Sequence, residues 1–333
     1  MMAATPITAV VPPPLPSGGR NLLARRQGDG ARIEAVLADR AGITDTALAE
    51  LEAALTALAD TVAARVQAML DGEPEGDTDI EAQFAGLREG QQVKAVALAA
   101  RLDAILALIE DAGLAEVRAA WFEKYGALAD AAERSLGALG VGGASTLLDT
   151  EAATVLVDAI VGRHDDALFG QFARRSATQV LDALHTQVGL VSHAELADAI
   201  VEAEGLARSQ AMSEAETRIA EADRYFVAVA AEAASDTPDT FLYAYAGPVD
   251  SKTRPFCSRL VGRAFTPAEI AGLSNGQTST PPFYSGGGYR CRHLWVPVLA
   301  DNLDTLPYAR GDAGDIASAN AAANSRRRKG KKA

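Results

Sequence analysis

The fold is decided by the stretch from Phe241 to Val298, which begins FLYAYAGPVDSKTRPFCSRLVGRAFTPAEI (241–270) and ends PPFYSGGGYRCRHLWVPV (281–298). Its first five residues are aromatic or apolar and a Gly-Pro pair follows shortly after, which predicts a strand closed by a turn. The segment Thr266-Pro-Ala-Glu269 is typical of a capped helix start. The stretch therefore predicts a small module that mixes strands and short helices.

A second strand is predicted at residues 289–298. Because side chains alternate along a strand, Cys291, His293 and Trp295 would share one face. Pairing of this strand with the segment before the loop would bring Cys257 close to Cys291. The sequence thus predicts that both cysteines of the chain lie in one neighbourhood.

Cysteine and histidine side chains at this place allow four interpretations, which we rank as buried thiols, then a metal site, then a disulfide and last catalysis. A structural zinc site takes about four protein ligands, and beyond Cys257, Cys291 and His293 only a carboxylate such as Asp250 is available. A nucleophile needs a base and an orienting group, and the cysteines with His293 supply two of these three parts. We therefore expect no cofactor and no enzymatic activity, with zinc on these three side chains as the alternative.

The module resembles the C-terminal module of phage Mu F-like minor head proteins, which are head morphogenesis proteins of tailed phages. The matching positions include Asp250, Thr253, Cys257, Leu260, Gly262, Phe265, Pro281, Pro282, Gly287, Gly288, Tyr289, Cys291, Arg292, His293, Trp295 and Pro297. Arg254 stands where the family has the first cysteine of a Cys-x-x-Cys pair. A glycine triplet (286–288) stands where the family often has a histidine.

The resemblance implies a minor head protein of a tailed phage or a prophage-like particle, acting in head morphogenesis near the portal and in DNA packaging or delivery. Its partners would be portal and capsid proteins, in an assembly that holds several copies, with no membrane contact. It would be located in the virion after assembly in the host cytoplasm, where thiols stay reduced. The alternative is a toxin-like effector or enzyme that uses the module for docking, but the sequence shows no extra catalytic domain.

The rest of the chain predicts alanine-rich helices, since 48% of the residues are hydrophobic and only 5% are aromatic. We expect a mainly α fold in which long helices precede a small C-terminal α+β module. Helical regions are predicted at 31–140 and 141–235, and the module at 236–305. A charge-rich helix face that we expect to be solvated is formed by Glu214, Glu216, Arg218, Glu221, Asp223 and Arg224.

Both ends of the chain predict irregular structure. Residues 1–30 are expected to form a disordered proline-rich arm, and 306–333 a loop and a basic tail. The net charge of −13 makes the chain as a whole a poor general binder of nucleic acid. The tail, however, contains Arg326, Arg327, Arg328, Lys329, Lys331 and Lys332. Such a cluster is either a solvated end or a contact with phage DNA phosphates.

Overall fold

The computed structural model describes residues 20–71, 102–138, 151–187, 192–234 and 240–330. It shows a mainly helical chain with a small four-stranded sheet near the C-terminus. The fold class expected from the composition is therefore confirmed.

The helices that precede the sheet are α1 Arg20–Asp71, α2 Leu102–Ile109, α3 Ala115–Ala138, α4 Glu151–Asp165, α5 Gln171–Gln187 and α6 His193–Ala233. Short π-helical turns, Glu110–Leu114 and Asp166–Gly170, follow α2 and α4. Gly113 leaves the helical conformation with φ 116°, which marks a kink between α2 and α3. Within the described ranges, no helix combines the length and hydropathy needed to cross a membrane.

Two terminal segments that we expected to be irregular contain helix. Helix α1 begins at Arg20, inside the expected arm, because the residues that follow include several leucines and arginines, which favour helix. The last helix, α10 Ala313–Gly330, occupies most of the expected loop and tail. The carboxylate of Asp312 caps it by accepting hydrogen bonds from the backbone N–H groups of Gly314 (2.8 Å) and Asp315 (2.9 Å). Residues 1–19 and 331–333 lie outside the described part of the chain.

The chain forms two compact units. The first comprises Met1–Thr44, Tyr125–Val157 and Thr217–Ala333, and it contains the sheet. The second comprises Asp45–Lys124 and Asp158–Glu216, and its described residues are almost entirely helical. Each unit therefore combines segments that are distant in sequence.

The second unit has an apolar core with one buried acid. The buried stripe along α1 is Leu51, Leu55, Leu58, Val62 and Val66. The buried acid is Glu204 on α6, whose Oε1 accepts a 2.6 Å hydrogen bond from the hydroxyl of Ser176 on α5. Burial raises the pKa of Glu204 to about 7, although the Ser176 bond and the charge of Arg208 lower it. This carboxyl therefore keeps its proton to a higher pH than an exposed glutamate does.

The sheet of the first unit has the strand order β3-β1-β2-β4. Its strands are β1 Phe241–Ala246, β2 Arg263–Phe265, β3 Leu294–Leu299 and β4 Ala309–Arg310. Strand β1 is antiparallel to β2 and β3, whereas β2 and β4 are parallel. The short helices α7 Pro255–Leu260, α8 Pro267–Ala271 and α9 Pro282–Ser285 lie between the strands, and a 3-10 turn Ala300–Thr305 follows β3. The sheet thus extends beyond residue 305, where we expected the module to end.

The two faces of this sheet differ in chemistry because the side chains of each strand alternate. The aliphatic face is packed with residues of α1 and of the segment after β3; its members are Leu242, Ala244, Ala246, Ala264, Val296, Val298, Ile33, Leu303 and Leu306. The aromatic face carries Tyr243, Tyr245, Phe265 and Trp295, all buried. The rings of Tyr245 and Trp295, which are opposite in the β1–β3 register, lie 4.5 Å apart.

Strand β3 is shorter than the sequence suggests. It begins at Leu294, so Cys291 and His293 precede it rather than lie on it. Arg290 adopts a left-handed backbone with φ 55°, which a regular strand does not accommodate. Its N–H donates to the hydroxyl of Thr217 at 3.1 Å instead of to a neighbouring strand.

Candidate functional site

The candidate site is a buried centre at the end of the aromatic face, formed by Tyr245, Cys257, Cys291 and His293. The Sγ atoms of the two cysteines lie 3.9 Å apart, which confirms that they are neighbours. The hydroxyl oxygen of Tyr245 lies 3.5 Å from Cys257 Sγ and 3.4 Å from Cys291 Sγ. The Nδ1 atom of His293 lies 3.8 Å from Cys291 Sγ.

Each of these side chains is supplied by a different local structure. Tyr245 projects from β1, and Cys257 lies in the first turn of α7, whose start is set by Pro255 at the first helical position. Cys291 and His293 come from the turn before β3. The expected proximity of the two cysteines is therefore reached from a helix and a turn, not from two paired strands.

Glycines let the backbone approach the sulfur atoms closely. A Cβ atom at Gly287 would lie 2.2 Å from Cys257 Sγ, and one at Gly286 would lie 3.0 Å from Cys291 Sγ. Gly286 also has φ 55°, which side chains disfavour. The backbone N–H of Gly287 donates to Cys291 Sγ at 3.0 Å. The glycine triplet thus brings the main chain against the centre.

Arg224 of α6 fixes the turn that carries Cys291 and His293. It is 2% exposed, and its guanidinium donates to the backbone carbonyl oxygens of His293 (2.9 Å), Tyr284 (2.9 Å) and Cys291 (2.6 Å). Sequence reasoning placed this arginine on a solvated face, and that expectation is wrong. Glu221 and Asp223 on the same helix are buried as well, and Asp223 pairs with Arg40 of α1 at 2.7 Å.

The electrostatics of the centre differ between its two thiols. The hydrogen bond with Cys291, together with burial, raises the pKa of Cys257. The same bond lowers the pKa of Cys291, with help from His293 and Arg224 and against the effect of burial. Burial raises the pKa of the Tyr245 phenol well above its ordinary value. Both cysteines are free and buried.

Other residues of the sequence motif organise the loop beside the centre. Asp250 accepts from the backbone N–H of Lys252 (2.9 Å) and pairs with Arg292 at 2.7 Å, and this hydrogen bond with Arg292 holds the pKa of Asp250 well below its usual range. The hydroxyl of Thr253 accepts from the backbone N–H of Asp250 at 2.9 Å. Gly262, with φ 84°, makes the turn into β2.

The remaining predicted residues have different places. Trp295 is 1% exposed and donates to the carbonyl oxygen of Pro282 at 3.0 Å, and Pro297 is buried in β3. Tyr289 is 49% exposed. The tail residues Arg326, Arg327, Arg328 and Lys329 belong to α10, but their side chains are not described, and Lys331 and Lys332 lie outside the described residues.

Sequence reasoning missed two members of the site. Tyr245 was read as a strand residue only, although the alternation of FLYAYA places its ring on the same face as Tyr243. Arg224 was assigned to a charged face, although the sequence IAEADRYFVAVAA surrounds it with apolar residues. Long charged side chains are rarely fully buried unless they are paired. An arginine within an apolar helical stretch therefore indicates a buried side chain that has specific partners elsewhere in the fold.

Chemically, the arrangement is suited to bind a metal ion rather than to open to a substrate. One sulfur from each cysteine and a ring nitrogen of His293 lie within 4.8 Å of one another, and all three residues are buried. The Nε2 atom of His293 is also buried and has no hydrogen-bond partner among the described residues. Thiolate and imidazole are the ligand types that zinc prefers.

No family model, no curated protein and no solved structure matches this chain.

Proposed function

We propose that the protein is a minor head protein of a tailed phage or prophage-like particle that acts in head morphogenesis near the portal. The observation that carries the proposal is the ordered motif from Asp250 to Pro297, which resembles the Mu F-like module. Five of its members lie in one compact arrangement: Cys257, Cys291 and His293 in the centre, with Asp250 and Arg292 paired beside it. Contacts among the motif residues support the proposal more strongly than the sequence match alone.

The module also presents a surface that suits a protein partner. Val249 is 52% exposed and Tyr289 is 49% exposed, so both side chains are accessible to a partner. The side chain of Arg254 donates to the backbone carbonyl oxygen of Tyr289, and Arg292 pairs with Asp250. We call Val249, Asp250, Arg254, Tyr289 and Arg292 the module surface. Aromatic and arginine side chains are enriched at protein interfaces.

Incorporation into particles tests this proposal. A tagged full-length protein is produced in the strain whose particles it would belong to, and heads are purified on a density gradient. We expect the protein to sediment with heads and portal in several copies per particle. Expressed protein that is absent from every particle fraction would contradict the proposal and favour the toxin-like alternative.

A pair of matched variants then locates the contact. Tyr289→Ser changes the module surface, whereas Leu102→Ser changes a similarly exposed residue, 44%, at the start of α2. We expect Tyr289→Ser to lower the amount of protein per head and Leu102→Ser to leave it unchanged. Equal incorporation of both variants would show that the module surface is not the contact.

A further inference from the structure

Four donor atoms of different chemistry converge in the buried centre. They are the two cysteine sulfurs, a nitrogen of His293 and the phenol oxygen of Tyr245. The measured separations are 3.9 Å between the sulfurs, 3.5 and 3.4 Å from the oxygen to each sulfur, and 3.8 Å from His293 Nδ1 to Cys291 Sγ. The four residues are between 0% and 3% exposed.

These separations match those of ligands around one tetrahedral zinc ion. With Zn–S bonds of about 2.3 Å and Zn–N or Zn–O bonds of about 2.0–2.2 Å, neighbouring ligand atoms lie roughly 3.5–3.8 Å apart. The four distances given above therefore fit to within a few tenths of an ångström, and the donor atoms of the two cysteines and His293 all lie within 4.8 Å of one another. Hydrogen bonds between thiols are weak by comparison, so they give little reason to collect four polar groups in a dry site.

We propose that Cys257, Cys291, His293 and Tyr245 bind one Zn²⁺ ion as a structural site, in which the Tyr245 phenolate is the fourth ligand. The site joins β1, α7 and the turn before β3. The proposal does not depend on the role of the protein in phage heads.

Charge balance favours the phenolate form of Tyr245. Two thiolates and one phenolate carry three negative charges, which Zn²⁺ and the buried guanidinium of Arg224 neutralise together. A bound cation reverses the effect of burial on the groups that ligate it, because they then face a positive charge instead of a dry protein interior. The pair of Arg224 and zinc would thus keep the centre neutral.

The surroundings of the centre resemble the outer shell of a structural metal site. The N–H of Gly287 donates to Cys291 Sγ at 3.0 Å, so this sulfur has a second partner that orients it. The absence of Cβ atoms at Gly286 and Gly287 leaves room for the sulfurs. Because all four ligands would come from buried side chains, the ion would have no open position, which is typical of structural rather than catalytic zinc.

Neighbouring charged groups are less suited to be the fourth ligand. Asp250 is exposed and pairs with Arg292 at 2.7 Å. Arg254 carries a positive charge and donates to the Tyr289 carbonyl oxygen. Of the oxygen-bearing side chains in the described residues around the centre, Tyr245 is the one in contact with both sulfurs.

Metal content of the full-length protein is the first test. Protein purified under reducing conditions and reconstituted with Zn²⁺ is freed of excess metal and analysed for zinc and for reactive thiols. We expect one zinc per chain, and its loss in Cys257→Ser, Cys291→Ser and His293→Asn. Less than stoichiometric zinc in reconstituted wild-type protein would overturn the proposal, and two titratable thiols would identify the centre as a pair of buried thiols.

The tyrosine ligand is tested on wild-type protein and on Tyr245→Phe, which keeps the ring and removes the oxygen. Co²⁺ is used as the probe because its visible absorption reports the number and type of ligands. We expect wild-type protein to give a four-coordinate spectrum with sulfur charge transfer, and Zn²⁺ addition to give the difference absorption of a tyrosinate. Tyr245→Phe should weaken metal binding by at least the roughly 10- to 100-fold that loss of an outer-shell partner costs.

Tyr284→Phe is the matched control, since Tyr284 is a half-buried tyrosine of the same module. It should leave the metal affinity and the tyrosinate signal unchanged. Metal binding in wild-type protein without a tyrosinate signal would overturn the role of Tyr245, whether or not the Tyr245→Phe variant folds. Unchanged affinity in a folded Tyr245→Phe variant would do the same.

Discussion

The helical second unit and the sheet-containing module are stabilised in different ways. In the second unit, buried alanine and leucine side chains recur every three or four residues, so that many similar apolar contacts share the stabilisation. In the module, glycines, a buried arginine and a cluster of polar side chains have single arrangements that a small change disturbs. The comparison shows that stability from repeated apolar contacts is distributed, whereas stability from specific polar contacts is concentrated in few residues.

The largest expected effect on stability follows substitution of Arg224, the buried arginine of the module. Lysine keeps the charge but cannot reach three carbonyl oxygens from one nitrogen. Arg224→Lys should lower the free energy of unfolding by roughly 4 kcal/mol, because buried carbonyl groups lose their donors. Urea denaturation followed by tryptophan fluorescence measures it, with the exposed Arg259→Lys as the control. Equal stability of the two variants would contradict the anchoring role.

Glycine-to-alanine substitution in the two regions should have opposite signs. In the module, a Cβ at Gly287 would collide with Cys257 Sγ at 2.2 Å, so Gly287→Ala should destabilise by roughly 3 kcal/mol. In α4, a Cβ at Gly162 would meet nothing within 4 Å, so Gly162→Ala should stabilise by about 0.5–1 kcal/mol. Thermal melting of both variants tests this prediction. A change in melting temperature of the same sign in both variants would contradict the difference between the two regions.

The buried acid of the helical unit should make stability depend on pH. The folded-state pKa of Glu204, about 7, lies above its ordinary value of 4.5. Folding therefore binds a proton between these values, and the contribution of Glu204 to stability falls as the pH rises from about 5 to 8. Glu204→Gln stays neutral, so its stability relative to wild type should increase by roughly 2 kcal/mol over this range.

The measurement for Glu204 is the unfolding free energy of wild type and variant at several pH values. The exposed Glu202→Gln on the same helix is the control. A constant difference between wild type and Glu204→Gln from pH 5 to 8 would show that this carboxyl does not take up the proton on folding.

The smallest expected change in stability follows removal of residues 324–333. Apart from alanine and glycine, this segment contains only polar and charged residues, so its loss should change the unfolding free energy by less than about 0.5 kcal/mol. Its six positive charges should instead affect DNA binding, with a salt dependence that falls by roughly one unit of slope per lost phosphate contact. Binding isotherms at several salt concentrations test this. If the full-length and truncated proteins show the same salt dependence of DNA binding, the tail is only a solvated end.

The same contrast explains what the sequence could predict. The alanine-rich composition predicted the helical regions, and local turn chemistry identified the start of α8, where Thr266 and Glu269 form a capping box. The run of aromatic and apolar residues also located β1. These features depend on neighbours in the chain.

Features that depend on distant residues were missed. The sequence predicted that β3 begins at residue 289, whereas it begins at Leu294. No local pattern shows that Arg290 adopts a left-handed backbone and bonds to Thr217. The role of Arg224 depends on three carbonyl groups that lie 60, 67 and 69 residues away in sequence. The proximity of the cysteines was predicted correctly, but the participation of Tyr245 required the paired register of β1 and β3.

Pro297 limits the ways in which copies of the protein can contact each other. It lies within β3, which forms one edge of the sheet, and β4 at the other edge is only two residues long. A proline removes a backbone donor, and a very short strand offers few, so neither edge is a good template for a strand of another molecule. Copies held at high local density would therefore meet through side chains, and the sheet would not grow into a fibre.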